Sequence, residues 1–133
     1  MQGHPGGRGL DRLILVYDAD SGLGAMLLDV VKKAIGKEDC SLCEITYSPL
    51  GKRSSWRACE SRLGVAVDEL HRDQLPVEWG VSRADLPCVL GRAGEERPRV
   101  VVTREEIASC GGKVSALEEK LVAVLSRESG SGR

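Results

Sequence analysis

Two pairs of residues in this chain have the types and the spacing that carry chemistry in proteins. Cys40 and Cys43 enclose the sequence Cys-Ser-Leu-Cys, which suits either a redox-active thiol pair or half of a zinc site. Asp18 and Asp20 come directly after the apolar run Leu13-Ile14-Leu15-Val16-Tyr17. One carboxylate in such a pair can act as a nucleophile and the other as a general acid or base.

The cysteine pair favours a thiol function over a metal site. A zinc site needs two further ligands, but the chain has no second Cys-x-x-Cys, and its histidines, His4 and His71, are isolated in the sequence. We therefore expect no metal and no cofactor. A purely structural role for Cys40 and Cys43, as small buried residues at a strand edge, stays open. In a strand, residues i and i+3 point to opposite faces, so a disulfide between them requires a turn-like backbone.

The aspartate pair resembles the first motif of the haloacid-dehalogenase-like phosphotransferases, in which four apolar residues precede Asp-x-Asp. That resemblance implies Asp18 as the nucleophile, Asp20 as the general acid/base, and Mg²⁺ held by Asp18 and a late acidic residue. The match ends after this one motif, since no later strand of the chain ends in paired aspartates. A helix cap at Asp20 or Ser21 is the explanation that the sequence favours.

Composition restricts the possible partners. The net charge is −1 with both signs interspersed, which argues against a protein that binds a phosphate backbone. Aromatic residues make up 3% of the chain and Phe is absent, so we expect no platform on which bases stack and no nucleic-acid partner. No segment approaches the roughly 20 apolar residues that span a bilayer, so we expect no membrane partner. The odd count of five cysteines, without a secretory signal, predicts reduced thiols and a cytoplasmic location.

The chain of 133 residues predicts one domain, over residues 10–127, between a disordered lead (1–9) and a disordered tail (128–133). Hydrophobic periodicity, caps and turn residues predict its elements. The first are a strand over 12–18, a helix that starts at Asp20 or Ser21 and stops at Gly36, a strand over 40–47 and a turn over 48–51. A helix over 54–63 and a strand over 65–70 follow, with continuation of that helix to Leu70 as the alternative to the strand. The rest are an irregular segment over 71–85, strands over 86–91 and 98–103, and helices opened by capping boxes at Thr103 and Ser115.

This order resembles the thioredoxin-like fold. Leu86-Pro87 stands directly before the first hairpin strand, where thioredoxin-like proteins place a cis-proline beside their active site, and an amphipathic helix closes the chain. The resemblance implies an α/β fold with a mixed sheet, parallel early strands, a late antiparallel hairpin and helices on both faces. The Asp-Ala-Asp-Ser-Gly-Leu turn and Cys-Ser-Leu-Cys are also similar to a group of small uncharacterised bacterial proteins, a similarity that implies no activity.

The Cys-x-x-Cys spacing makes thiol-disulfide chemistry, or thiol-dependent binding, through Cys40 and Cys43 the favoured hypothesis, with an unidentified protein or small thiol as partner. Thioredoxins, however, place Cys-x-x-Cys after a strand, at the start of a helix. A strand over 40–47 parallel to the first would put these cysteines at the opposite end of the sheet from Asp18 and Pro87. We therefore expect a possible second site at the end of the sheet that holds Asp18 and Pro87. Its residues would be Asp18, Asp20, Ser21, Pro87 and Cys88. A noncatalytic ligand- or partner-binding domain stays open as an alternative.

Overall fold

Strand β1 (Arg12–Tyr17) forms the centre of the sheet because its residues after Arg12 are all apolar or aromatic and all buried. The computed structural model describes residues 9–19, 41–48 and 51–130. Further along the chain follow α1 (Ser41–Thr46), β2 (Tyr47–Ser48), β3 (Gly51–Lys52), α2 (Ser54–Leu63), β4 (Ala66–His71), β5 (Cys88–Arg92), β6 (Arg99–Val102), α3 (Arg104–Ala108) and α4 (Val114–Gly130). Three 3₁₀ turns lie between β4 and β5, at Arg72–Gln74, Val77–Trp79 and Arg83–Asp85.

The main sheet has the strand order β4-β1-β5-β6. β1 runs parallel to β4, so that Tyr17 lies beside His71, and antiparallel to β5, so that Val16 lies beside Cys88. β5 and β6 form the predicted antiparallel hairpin. These pairings confirm an α/β protein with a mixed sheet, an early parallel pair and a late hairpin. Within the described ranges, β2 and β3 pair with each other and with no other strand. Residues 49 and 50 of the turn predicted over 48–51 lie outside these ranges.

The two faces of β1 contribute to separate cores. Leu13, Leu15 and Tyr17 pack in a core with buried residues of all four helices, α1 to α4. Ile14 and Val16 point to the other face, which residues 72–85 cover with Leu75, Trp79 and Val81. The helix expected between residue 20 and Gly36 lies outside the described residues, so helices on both faces stay a prediction. No helix in the described ranges combines the length and the apolar character that crossing a bilayer requires.

The strand predicted over residues 40–47 is wrong, because residues 41–46 form α1. Leu42 and Ile45 are completely buried in the core, and their i, i+3 spacing puts both on one face of a helix. The Thr46 hydroxyl donates to the Leu42 carbonyl one turn earlier, a bond that helical backbone allows. Burial of these side chains outweighs the strand preference of Ile45 and Thr46.

The later helices agree with the prediction except at the ends of α4. α2 ends at Gly64, which has a left-handed conformation (φ 76°), and Thr103 caps α3 in a capping box. α4 begins at Val114, one residue before the predicted cap at Ser115. α4 also continues to Gly130, beyond the domain end predicted at residue 127, and its Glu128 forms an ion pair with Arg99 of β6. The predicted lead over 1–8 and the last residues, 131–133, lie outside the described ranges.

Candidate functional site

A cleft of about 670 Å³ lies where β1 ends and β5 begins. Asp18 follows the last residue of β1, and Pro87 precedes the first residue of β5. Because β1 and β5 are antiparallel neighbours, the end of one strand lies beside the start of the other. The Leu86–Pro87 peptide bond is cis.

The Cys-Ser-Leu-Cys segment reaches this cleft through Ser41. Ser41, the first residue of α1, lines the cleft together with Asp18 and Pro87. The expected separation of the cysteine motif from Asp18 and Pro87 therefore does not hold for Ser41, one of the two residues between the cysteines. Its premise fails because residues 41–46 are a helix that packs on the sheet and not a strand within it.

The predicted site residues are described only in part. Cys40, Asp20 and Ser21 lie outside the described residues. Cys43 is half-buried on α1 and packs against the core that contains Leu42 and Ile45.

Cys88 does not face the cleft. Its side chain is fully buried with Ile14 and Val16 on the second face of the sheet. Burial, with a smaller contribution from Asp85, raises the pKa of Cys88 to about 12. It is therefore a buried strand cysteine, and its thiol stays protonated at neutral pH.

The two remaining described thiols are also free and buried. Burial, followed by the charge of Glu118, raises the pKa of Cys59 to about 11. Burial likewise raises the pKa of Cys110, which lies in the turn between α3 and α4. Since the thiolate is the reactive form of cysteine, neither residue has the environment of a nucleophile.

Asp18 is held by an arginine that is distant in the sequence. The Arg72 Nη1 donates to Asp18 Oδ1 at 3.0 Å, and both side chains are about one-quarter exposed. The Arg72 backbone N–H donates to the Ala19 carbonyl at 3.0 Å. These two bonds tie the exit of β4 to the exit of β1, and the guanidinium compensates the charge of the carboxylate.

Two other arginines, unlike Arg72, line the cleft itself, and both are exposed. Arg83 lies in the last 3₁₀ turn, and Arg104 begins α3. Arg104 Nη1 donates to the Ala84 carbonyl at 3.3 Å. Sequence reasoning missed Arg72, Arg83 and Arg104, since none of them belongs to a motif and only the folded sheet brings them together.

A buried hydroxyl pair connects β1 to α1. Tyr17 and Thr46 are both buried, and their hydroxyl oxygens lie 2.9 Å apart. Burial, followed by the charge of Glu69, raises the pKa of Tyr17 far above its ordinary value, so this hydroxyl stays protonated. The His71 ring lies 5.8 Å from the Tyr17 ring, and its Nδ1 is 3.2 Å from Gln74 Oε1. His71 thus contacts Gln74 of the following turn and Tyr17 of the adjacent strand.

The described residues contain no group of three or more His, Cys, Asp or Glu that could hold a metal ion. No protein-family model, no curated protein and no solved structure matches the chain. The geometry of the cleft is therefore the basis on which a function can be inferred.

Proposed function

We propose that this protein is a thioredoxin-like thiol-disulfide protein whose reactive pair is Cys40 and Cys43. One observation carries the proposal. Ser41, the residue directly after Cys40 in Cys-Ser-Leu-Cys, lines the same cleft as Pro87. A Cys-x-x-Cys segment beside the proline that precedes the hairpin is the arrangement that the thioredoxin-like resemblance implies. The mixed sheet and the hairpin after Pro87 also support it.

The helical backbone of α1 and the state of the other thiols support the same pair. A helix brings residues i and i+3 to one face, so helical backbone at Cys43 suits a bond to a partner three residues earlier better than a strand does. Cys59, Cys88 and Cys110 are buried with raised pKa values, which makes them poor nucleophiles. Cys40 and Cys43 are the remaining cysteines of the chain.

The proposed reaction is thiol-disulfide exchange. The thiolate of one cysteine attacks a sulfur of the substrate disulfide, the substrate S–S bond breaks, and a substrate thiolate leaves and takes up a proton. The thiolate of the second cysteine then attacks the mixed disulfide and releases the other substrate thiol. Two electrons pass from the dithiol to the substrate, and the Cys40–Cys43 disulfide forms. An external dithiol reductant returns the pair to its starting state.

The surroundings of Asp18 do not favour the phosphotransferase alternative. The Arg72 guanidinium occupies one oxygen of the carboxylate that would have to attack a phosphorus atom or bind Mg²⁺. The noncatalytic alternative is a binding domain with this fold. It differs from the proposed function because binding does not require the thiols of Cys40 and Cys43.

A turnover experiment tests the proposed function. We expect the protein to accelerate the reduction of a small peptide disulfide by dithiothreitol, and we expect Cys40→Ser and Cys43→Ser each to return the rate to background. Cys59→Ala is the matched control and should retain the rate, because its thiol is buried in the core. A folded wild-type protein that gives only the background rate, or activity that survives both serine substitutions, contradicts the proposal.

A further inference from the structure

A second groove continues the cleft on the side of the 3₁₀ turns. It has a volume of about 380 Å³ and shares Arg83 and Leu86 with the cleft. Because the same two residues line both depressions, they form one surface, which we call the extended groove. It passes from Ser41 and Pro87, across Arg83, to the segment that contains Val77.

The far part of the extended groove has an apolar wall. Leu75, Pro76, Val77 and Val81 form this wall beside Arg72 and Asp73, and Val77 is 91% exposed. A single exposed valine is ordinary, but this one adjoins three other apolar residues at the edge of a depression. Covering such side chains is favourable by about 25 cal/mol per Å² of apolar surface removed from water. This part therefore suits an aliphatic side chain of a partner.

The near part of the extended groove, which is the cleft beside Ser41 and Pro87, carries positive charge on Arg83 and Arg104. Arg72 is paired with Asp18 at 3.0 Å, so this cation and this carboxylate compensate each other. Within the described residues, Arg83 and Arg104 have no carboxylate partner, and the one hydrogen bond from Arg104 goes to a carbonyl. Among the described carboxylates, Asp73 lines the far part, and Asp85, two residues after Arg83, accepts from Ser82. Arg83, at the junction of the two depressions, and Arg104 are thus placed to bind an incoming carboxylate.

We propose that the extended groove binds an acidic segment of a partner protein that also carries an aliphatic residue, and that Arg83 and Arg104 select disulfides next to such a segment. This inference rests on the proposed function, since it names the substrate class of the same cleft. The positive charges of Arg83 and Arg104 favour an anionic partner. The apolar residues around Val77 in the far part of the groove favour a polypeptide over a small anion, because a polypeptide can also cover them. Carboxylates on exposed arginines chiefly affect association and salt dependence, so we expect these residues to act on binding and not on the chemical step.

The binding test uses peptides that cannot react. A short dye-labelled peptide has Leu and Val beside Asp and Glu residues and Ser in place of each cysteine, and its matched control has Gln and Asn in place of the acids. We expect wild-type protein to bind the acidic peptide more tightly in fluorescence anisotropy, with an affinity that falls as salt rises. The Arg83→Gln/Arg104→Gln double variant should lose about three- to tenfold in affinity for the acidic peptide alone, the range that two exposed ion pairs provide.

Arg57→Gln is the matched control protein, because Arg57 is an exposed arginine on α2 and lines neither part of the extended groove. We expect it to bind like the wild type. Val77→Ser should lower the affinity for both peptides equally, since it removes only the aliphatic contact that the two peptides share. Equal affinity of the wild type for the two peptides, or an equal loss in Arg57→Gln and in the double variant, overturns the inference.

A second measurement separates this inference from the proposed function. The disulfide-bonded forms of the same two peptides serve as substrates, and the double variant should raise KM for the acidic substrate while kcat is kept. Reduction of both substrates with equal KM overturns the inference and leaves the redox function intact. Tight binding of the acidic peptide without any reduction overturns the redox function, and with it the substrate role of the groove.

Discussion

At the scale of single residues, burial decides which cysteines can react. Each unit by which a thiol pKa rises lowers the thiolate fraction at a given lower pH about tenfold. The pKa of about 12 for Cys88 therefore leaves about a thousandfold less thiolate at pH 7 than the ordinary value of 9.0. Sequence alone does not show this difference, because the burial of Cys59, Cys88 and Cys110 depends on the assembled core.

Alkylation measures that difference. We expect iodoacetamide at pH 7 to leave Cys59 and Cys88 unmodified in the native protein, because both are fully buried and protonated. Reduced Cys40 and Cys43 should react under the same conditions, and all cysteines should react in urea. Mass spectrometry of peptides gives the extent at each site. Labelling of native Cys88 as fast as in urea contradicts its placement in the core.

Tyr17 is the other residue whose environment has a measurable effect. We expect Tyr17→Phe to lower the free energy of unfolding by about 1 kcal/mol, since it removes the buried hydrogen bond to Thr46 and little volume. Urea unfolding followed by circular dichroism measures the change. Tyr47→Phe is the matched control, because Tyr47 is 37% exposed, and it should cost less.

The same variant has a defined pH dependence. Burial raises the pKa of folded Tyr17 above the value of 10.0 for an ordinary tyrosine, so the unfolded state loses this proton first. The contribution of protonated Tyr17 to the free energy of unfolding is therefore fully present below pH 10, and it is lost as the pH rises above 10. We expect the wild type to lose more stability than Tyr17→Phe between pH 9 and pH 11. Parallel stability curves for the two proteins over this range contradict the burial of this hydroxyl.

At the scale of elements, a continuous apolar run such as that of β1 was predictable from the sequence, and a helix of less than two turns such as α1 was not. β1 was predicted because five consecutive apolar or aromatic residues are enough for a buried strand, and the end of α2 because Gly64 supplies a left-handed residue. α1 was missed because it is six residues long, and the β-branched Ile45 and Thr46 favour a strand locally. The signal that favours a helix was the i, i+3 spacing of Leu42 and Ile45, which becomes decisive only when a core is available to both.

Close packing within β5 gives a prediction at this scale. A Cβ on Gly91 would lie 2.6 Å from Leu10 Cδ1 and 3.0 Å from Val101 Cγ1. Gly91→Ala should therefore lower the free energy of unfolding by about 1 kcal/mol, the low end of the usual cost of overpacking, because the end of the Leu10 side chain can move while the β-branched Val101 is stiffer. The cost should be smaller in a Leu10→Ala background, because the nearest clashing side chain is then absent. Urea denaturation of the four proteins in this cycle measures the coupling, and equal costs in both backgrounds contradict this packing.

At the scale of the whole molecule, the sheet brings together parts of the chain that are far apart in sequence. Asp18, Ser41 and Pro87 line one cleft because β1 and β5 are antiparallel neighbours and α1 packs on the same sheet. The mixed α/β architecture and the hairpin after Pro87 were predictable from the order of elements. The relation of the cysteine motif to Pro87 was not, since it depends on whether residues 41–46 enter the sheet or pack against it.

The central claim is that Cys40 and Cys43 act as one redox pair beside this cleft. The most direct test equilibrates the protein in mixtures of reduced and oxidised dithiothreitol, traps the thiols by alkylation, and quantifies every cysteine by mass spectrometry. The account predicts that Cys40 and Cys43 convert together in a single two-electron transition, with a tenfold change in equilibrium constant per about 30 mV, while Cys59, Cys88 and Cys110 stay reduced. Cys40 and Cys43 that remain fully alkylated across all mixtures, or that oxidise independently of each other, would contradict it.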